Sequence, residues 1–161
     1  MKCIKLNKNM ETIVDDDMYD YLNQFKWRVF KRRNKYYVQR SQWLSGKNKG
    51  TSITLHRVIM NAPTGILVDH INGNTLDNRK ENLRLCTSKE NIRNSGMKNN
   101  KTGFKGVKKR NDLNTKPYSA RIMVDYKDIH LGYFETAEEA AEAYNKAAIK
   151  YFGEFANLNK L

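Results

Sequence analysis

The sequence predicts an α+β protein, and three observations predict it. First, two short apolar stretches, one ending in Asp69-His70 and one spanning Leu83–Cys86, flank a loop of Asn, Asp and Gly. They lead into Thr87-Ser88-Lys89-Glu90-Asn91, which reads as the start of a helix. Second, from Gly103 onward three short strand-like stretches precede a long alanine-rich helical pattern, predicting a three-stranded antiparallel sheet packed on one helix. Third, the stretch between, Asn94 to Gly103, has almost no apolar content and reads as an extended linker.

Taken in order, residues 1–50 form a small β-rich segment. Val14-Asp15-Asp16-Asp17 opens a short helix with Tyr19 and Leu22 on one face. The Asp run reads as a helix N-terminus, where carboxylates cap N–H groups and meet the positive dipole end, in preference to a metal site. Trp27–Phe30 and Tyr36–Arg40 are two strands joined by a turn at Arg33-Asn34-Lys35. Gly46–Gly50 is a polar basic loop, and Thr51–Leu55 is another strand. His56–Met60 begins a short helix that stops before Ala62-Pro63. Residues 51–95 are the strand–loop–strand–helix module, 96–102 a basic linker, and 103–161 the second module. There Phe104–Lys108, Tyr118–Val124 and Ile129–Phe134 are strands. Thr136-Ala137-Glu138-Glu139 is a capping box, in which the Thr oxygen accepts the Glu139 N–H and the Glu reaches back. The helix runs to about Tyr151, and Ala140, Ala141, Ala143, Tyr144, Ala147, Ala148 and Tyr151 form its core face.

Bulk properties narrow the function classes. The chain has 161 residues, 39% of them hydrophobic, enough for a modest core. Thirty Lys and Arg against seventeen Asp and Glu give +13. Such charge implies a polyanionic partner. A membrane surface would want a basic amphipathic helix, whereas the clearest helix here is acidic at its start, so nucleic acid is favoured. No apolar run is long enough to span a bilayer, and the first residues lack the apolar stretch of a signal peptide. The chain is therefore expected to be cytoplasmic and not secreted. The two cysteines, Cys3 and Cys86, are far apart, which excludes a zinc finger on ligand count. Cys86 is expected in the core. Residues 89–110 carry eight basic residues, Arg93 among them, against one acid, and read as a tether lying along phosphates.

Hydrolysing a phosphodiester needs a base for water, a cation near the scissile oxygens and a rigid frame. His70 is the histidine that stands beside a carboxylate, Asp69. Adjacent strand residues point to opposite sides, so a twist or bulge is needed for both to reach one phosphate. The loop Asn72–Arg79 is rich in residues that tolerate such geometry.

The stretches "LHRVIM", "VDHINGNTLDNRKENLRLCT" and "SKENIRN" resemble the HNH nuclease family, specifically phage and intron homing endonucleases with a D-H…N…N variant. The resemblance covers about a quarter of the chain and implies the ββα-metal architecture. It implies His70 as general base, Asn82 as the central Asn holding the frame, and Asp69 with Asn91 as ligands of one divalent cation. That cation, Mg2+ or Mn2+, would stabilise the charge of the phosphorane and the leaving 3′ oxygen. Oxygen ligation with open water positions suits a hard cation. Asp69 in first place and Asn91 in last depart from the commoner H-N-H pattern and weaken a zinc or nickel assignment. Asn94, one helical turn on, is the alternative ligand. Arg57, Arg79 and Arg84 are candidate phosphate clamps. His56 either orients DNA or caps the short helix, the structural role being favoured.

"GFKGVKKR", "YSARI", "LGYFETAEEAAEAYNKAA" and "FGEFANLN" resemble the Apetala-type (ethylene-response-factor) DNA-binding domain over about a third of the chain. In that family the sheet enters the major groove with the helix behind it. By position, the DNA-facing candidates are Lys105, Lys108, Arg110, Arg121 and His130. Lys105 and Lys108 replace arginines, Met123 and Asp128 fall where arginines are expected, and His130 falls where a tryptophan is expected. This lowers the expectation of bidentate guanine contacts. Together the resemblances imply a phage- or intron-type DNA endonuclease with a separate reader of duplex DNA; the oligomeric state is left open, with a monomer favoured. The rival readings are a non-catalytic DNA-binding regulator and an RNA-binding or structural protein that uses only the charge.

Overall fold

The computed structural model of the protein describes residues 1–42, 50–94, 101–111 and 115–161. Most of the expected Gly46–Gly50 loop and residues 96–100 of the expected linker lie outside the described residues. The chain divides into two compact units, Met1–Ser88 and Lys89–Leu161.

In the first unit, β1 (Lys2–Lys5) and β2 (Glu11–Val14) form an antiparallel hairpin with Ile4 opposite Thr12. Helix α1 (Asp16–Leu22) follows. β3 (Arg28–Arg32), β4 (Lys35–Gln42) and β5 (Thr51–Thr54) make an antiparallel sheet in that order. The β3–β4 turn is tight because Arg33 takes a left-handed conformation. After α2 (Leu55–Ile59), β6 (Leu67–His70) and β7 (Leu83–Cys86) pair antiparallel, with Asp69 opposite Arg84 and His70 opposite Leu83.

One core joins β1, β2, α1, β4, α2 and β7: Ile4, Val14, Leu22, Trp27, Val38, Leu55, Ile59 and Leu83. Each such buried side chain contributes about 1.5–3 kcal/mol relative to exposure. Residues 1–50, expected as a small β-rich segment, share this core with the strand–loop–strand unit. β2 is also stitched to the loop between β6 and β7. Ile13 bridges Asp77, its N–H donating to the Leu76 carbonyl at 2.9 Å, and Asn78 N–H donates to the Ile13 carbonyl at 2.8 Å. The Asp run does begin α1, but not as a side-chain cap. Asp15 accepts the backbone N–H of Lys80 at 2.7 Å, and Asp16 pairs with the N-terminal ammonium. The carboxylates answer longer-range donors in place of the helix's own N–H groups.

The second unit contains α3 (Ser88–Arg93), which starts at the boundary, then β8 (Val107–Lys109), β9 (Tyr118–Val124), β10 (Lys127–Phe134) and α4 (Ala137–Phe152). The sheet is antiparallel in the order β10-β9-β8, and α4 packs on it. The capping box forms: Glu139 N–H donates to Thr136 Oγ1 at 3.2 Å, and Glu139 Oε2 accepts the Thr136 N–H. Ala140, Ala141, Tyr144, Ala147, Ala148 and Phe152 are buried. Small side chains let the helix approach the strands closely. Tyr151 is exposed, and Phe152 takes the core position expected of it.

The first strand begins at Val107, not Phe104, because Gly106 turns the chain with φ +76° against the ring of Tyr144. A Cβ there would lie 2.1 Å from Tyr144 Cδ2 and 2.6 Å from the Arg121 carbonyl. The C-terminal tail is pinned by Asn159, whose amide exchanges hydrogen bonds with the Lys105 backbone at 2.6 and 3.1 Å. Among the described residues, no helix is long and apolar enough to cross a membrane.

Candidate active site

Asp69 and His70 end β6, and both are buried, at 8% and 4% exposure. They face different partners, as alternation on a strand requires. Asp69 meets Arg84 across the pair, its Oδ2 lying 2.9 Å from Nη2 and 3.2 Å from Nε. His70 instead faces the loop, with Nε2 3.2 Å from Asn78 Oδ1.

The loop is held by side chains standing in for backbone partners, as Asn and Asp do in turns. Asn82 spans it, accepting the Asn72 N–H at 3.0 Å and donating to the Asp77 carbonyl at 2.7 Å. Asn72 donates to Asp77 Oδ2 at 3.0 Å, and its own Oδ1 accepts the Asn74 N–H. Asp77 is gripped bidentately by Arg79, with both bonds 2.8 Å. That guanidinium, with Asn72, holds the Asp77 carboxyl below its usual range. Thr75 ties the loop to the Tyr36 carbonyl, and Lys35 Nζ donates to the Gly73 carbonyl.

His56 stands against His70, ring centroids 5.2 Å apart, and Tyr37 packs edge-on to both. His56 Nε2 lies 3.2 Å from Thr54 Oγ1. Burial first, then the neighbouring His70 and Arg57, pull the His56 imidazole down to about 3. Burial also lowers His70, opposed by its bond to Asn78 and by the Asp69 and Asp77 charges. A neutral imidazole beside carboxylates suits proton abstraction.

The three expected phosphate clamps have internal partners. Arg57 donates to the carbonyls of Ile66, Ala62 and Pro63 and closes the turn after α2. Arg79 holds Asp77 and Glu81. Arg84 is buried on Asp69.

In the second unit, Asn91 lies half-buried on α3. Arg93 stacks over Phe152 at 4.9 Å and lies 3.4 Å from Asp125. Lys105 departs from expectation: its ammonium donates to the Arg93 carbonyl at 2.8 Å, and burial lowers its pKa. Lys108, Arg121 and His130 are exposed on the sheet face opposite α4, with His130 in register with Arg121. Arg121 also reaches Asp128 at 3.2 Å. Arg110 sits 4.3 Å over the Tyr133 ring, and His130 packs 4.6 Å from that ring.

Sequence reasoning missed Asn78, Asp77, Thr12, Tyr37 and Tyr133. The first two sit in the polar loop that was recognised only for its backbone tolerance. Thr12 carries no local signal at all, being 66 residues from its partner.

A divalent cation would find one hard oxygen donor here, the carboxylate of Asp69. Among the described residues, no three His, Cys, Asp or Glu side chains converge into a cage. Few protein oxygens, completed by water and phosphate, suit a magnesium-type ion better than structural zinc.

Comparison with known proteins adds two findings. Residues 54–93 match the family described as HNH endonuclease. Over 149 residues the chain is 33% identical to an uncharacterized HNH endonuclease of Acanthamoeba polyphaga mimivirus, a match spanning 89% of this chain and 75% of the relative.

Proposed function

The chain belongs to the HNH endonuclease family, and from that premise we propose that it is a homing-type enzyme hydrolysing duplex DNA with His70 as general base. His70 takes the proton of the attacking water, and the frame of Asn78, Asp77 and Asn82 holds the imidazole against rotation. HNH nucleases generally use a divalent metal ion, which when bound supplies positive charge at the scissile phosphate. Asp69 and Asn91 are its protein donors in this reading, and Mg2+ or Mn2+ fits their oxygen chemistry. The single observation that carries the proposal is the buried loop network around His70, next to the Asp69 carboxylate. A loop so heavily cross-linked is what positioning a base demands.

The second unit serves as the DNA reader, of the Apetala type. Supporting this are its three-stranded sheet backed by one helix and the exposed Lys108, Arg121 and His130 on the open face. Phosphate contacts position a protein, while groove contacts specify sequence, so a separate reader complements the nuclease unit.

The test is a supercoiled plasmid assay with Mg2+ or Mn2+, with and without chelator, for wild type and His70→Ala. Metal-dependent nicking or linearisation, reduced about 100-fold or more in His70→Ala while DNA binding persists, is expected. Equal turnover in the mutant removes His70 as the base. Tight DNA binding with no cleavage under any metal favours a DNA-binding regulator instead.

A further inference from the structure

A neutral imidazole has one donor nitrogen and one acceptor, and the partner of one nitrogen decides which is which. For His70 the deciding contact is Nε2 to the Asn78 side chain at 3.2 Å. Whether that amide presents oxygen or nitrogen is settled one step further away, on β2.

Thr12 Oγ1 lies 2.8 Å from the Leu76 carbonyl. A carbonyl only accepts, so the single hydroxyl proton of Thr12 is committed there. Thr12 Oγ1 can then only accept from Asn78, 2.8 Å away, and the atom facing it is Nδ2. The same Nδ2 lies 3.5 Å from the Thr75 carbonyl, a second acceptor. Asn78 Oδ1 therefore points at His70, and Nε2 must carry the proton. Nδ1 is then the basic nitrogen.

Both relay residues are sealed from water, Thr12 at 0% and Asn78 at 1% exposure, so neither amide nor hydroxyl can exchange partners with solvent. The backbone bonds from Ile13 to Leu76 and Asn78 hold the two strands of this relay in place.

We propose that Thr12 and Asn78 are positioning residues that lock His70 in the Nε2–H tautomer. The amino-terminal hairpin thereby has a function in the site: it carries the hydroxyl that sets the base's reactive nitrogen. This inference rests on the reading of His70 as the base, and its test separates the two.

The experiment is long-range 1H–15N correlation NMR of the full chain with labelled histidine, above the ordinary histidine titration range. His70 is assigned among the three histidines by loss of its signals in His70→Gln. Wild type is expected to show the Nε2–H form. Thr12→Ser and Asn78→Asp keep an acceptor facing His70 and are expected to retain it. Thr12→Val, isosteric but unable to accept from Asn78, is expected to give mixed tautomers. It should also lower kcat about tenfold or more with KM unchanged, as loss of an orienting partner does. An Nδ1–H form in wild type overturns the proposal, and so does a Thr12→Val protein with tautomer and kcat both unmoved. If Thr12→Val does not fold, the wild-type tautomer and its retention in Thr12→Ser still decide. An Nε2–H form lost in Thr12→Val, with no cleavage by any protein, upholds the lock and overturns the nuclease reading alone.

Discussion

Arg84 grips Asp69: across the β6–β7 pair its Nη2 and Nε lie 2.9 and 3.2 Å from one carboxylate oxygen, and both side chains are about nine-tenths covered. The carboxylate proposed as a metal ligand is thus also one half of a buried ion pair. Removing one partner of such a pair is costly, on the order of 3–5 kcal/mol, because the other charge stays in a poorly solvating environment. Asp69→Ala is therefore expected to lower the urea midpoint of the first unit as well as abolish cleavage. The double variant Asp69→Ala/Arg84→Met should recover much of the midpoint without recovering cleavage. A single variant with wild-type stability would show that the pair contributes little.

His56 makes stability depend on pH. Its folded pKa, about 3, lies below the ordinary 6.5, so the unfolded chain binds the proton more readily. Stability from this group is complete above about 6.5 and declines as pH falls toward 3, at about 1.4 kcal/mol per unit. His56→Gln is expected to flatten the pH dependence of stability in that window, so that the wild-type-minus-variant difference changes with pH there. Chemical denaturation at a series of pH values measures it, and parallel curves would contradict the burial argument.

Gly106→Ala should destabilise the second unit by about 2 kcal/mol or more. The new methyl meets the Tyr144 ring and the Arg121 carbonyl, and the backbone is in the left-handed region. Thermal unfolding followed through that unit checks this, and a Tm within error of wild type would refute it.

If the open face of β8–β10 contacts phosphates, neutralising it should change the salt dependence of binding. Lys108→Ala and Arg121→Ala are each expected to weaken duplex affinity and to reduce the slope of log K against log salt by about one. Lys105→Ala should not alter the slope, because its ammonium is turned inward to the Arg93 carbonyl. Equal slopes for all three variants would move the DNA-binding surface elsewhere.

Much of this protein was legible in its chain because the signals are local. The strand pattern marked β9 at its observed bounds, Thr136 and Glu139 marked the start of α4, and Asp69-His70 before a polar loop carried the family resemblance that implies a base and a ligand. These depend on backbone geometry within a few residues, which side-chain type encodes directly. The partners of those residues did not follow. Charge beside the motif made Arg57, Arg79 and Arg84 candidate phosphate contacts and position in a resemblance made Lys105 one, whereas the folded chain turns each toward an oxygen of its own. A guanidinium reads the same in sequence whether it meets a phosphate or a buried carbonyl.

By itself, then, the sequence determined the elements, the basic character and the Asp-His loop. Tertiary structure alone decided that β2 would lie along that loop, that Thr12 would reach Asn78, and that Asn78 would face His70. The physical reason is that those contacts join residues far apart in the chain. They are chosen by which apolar faces bury together, here the core shared by Ile4, Val14 and Leu83, and the polar relay is carried into place by that packing.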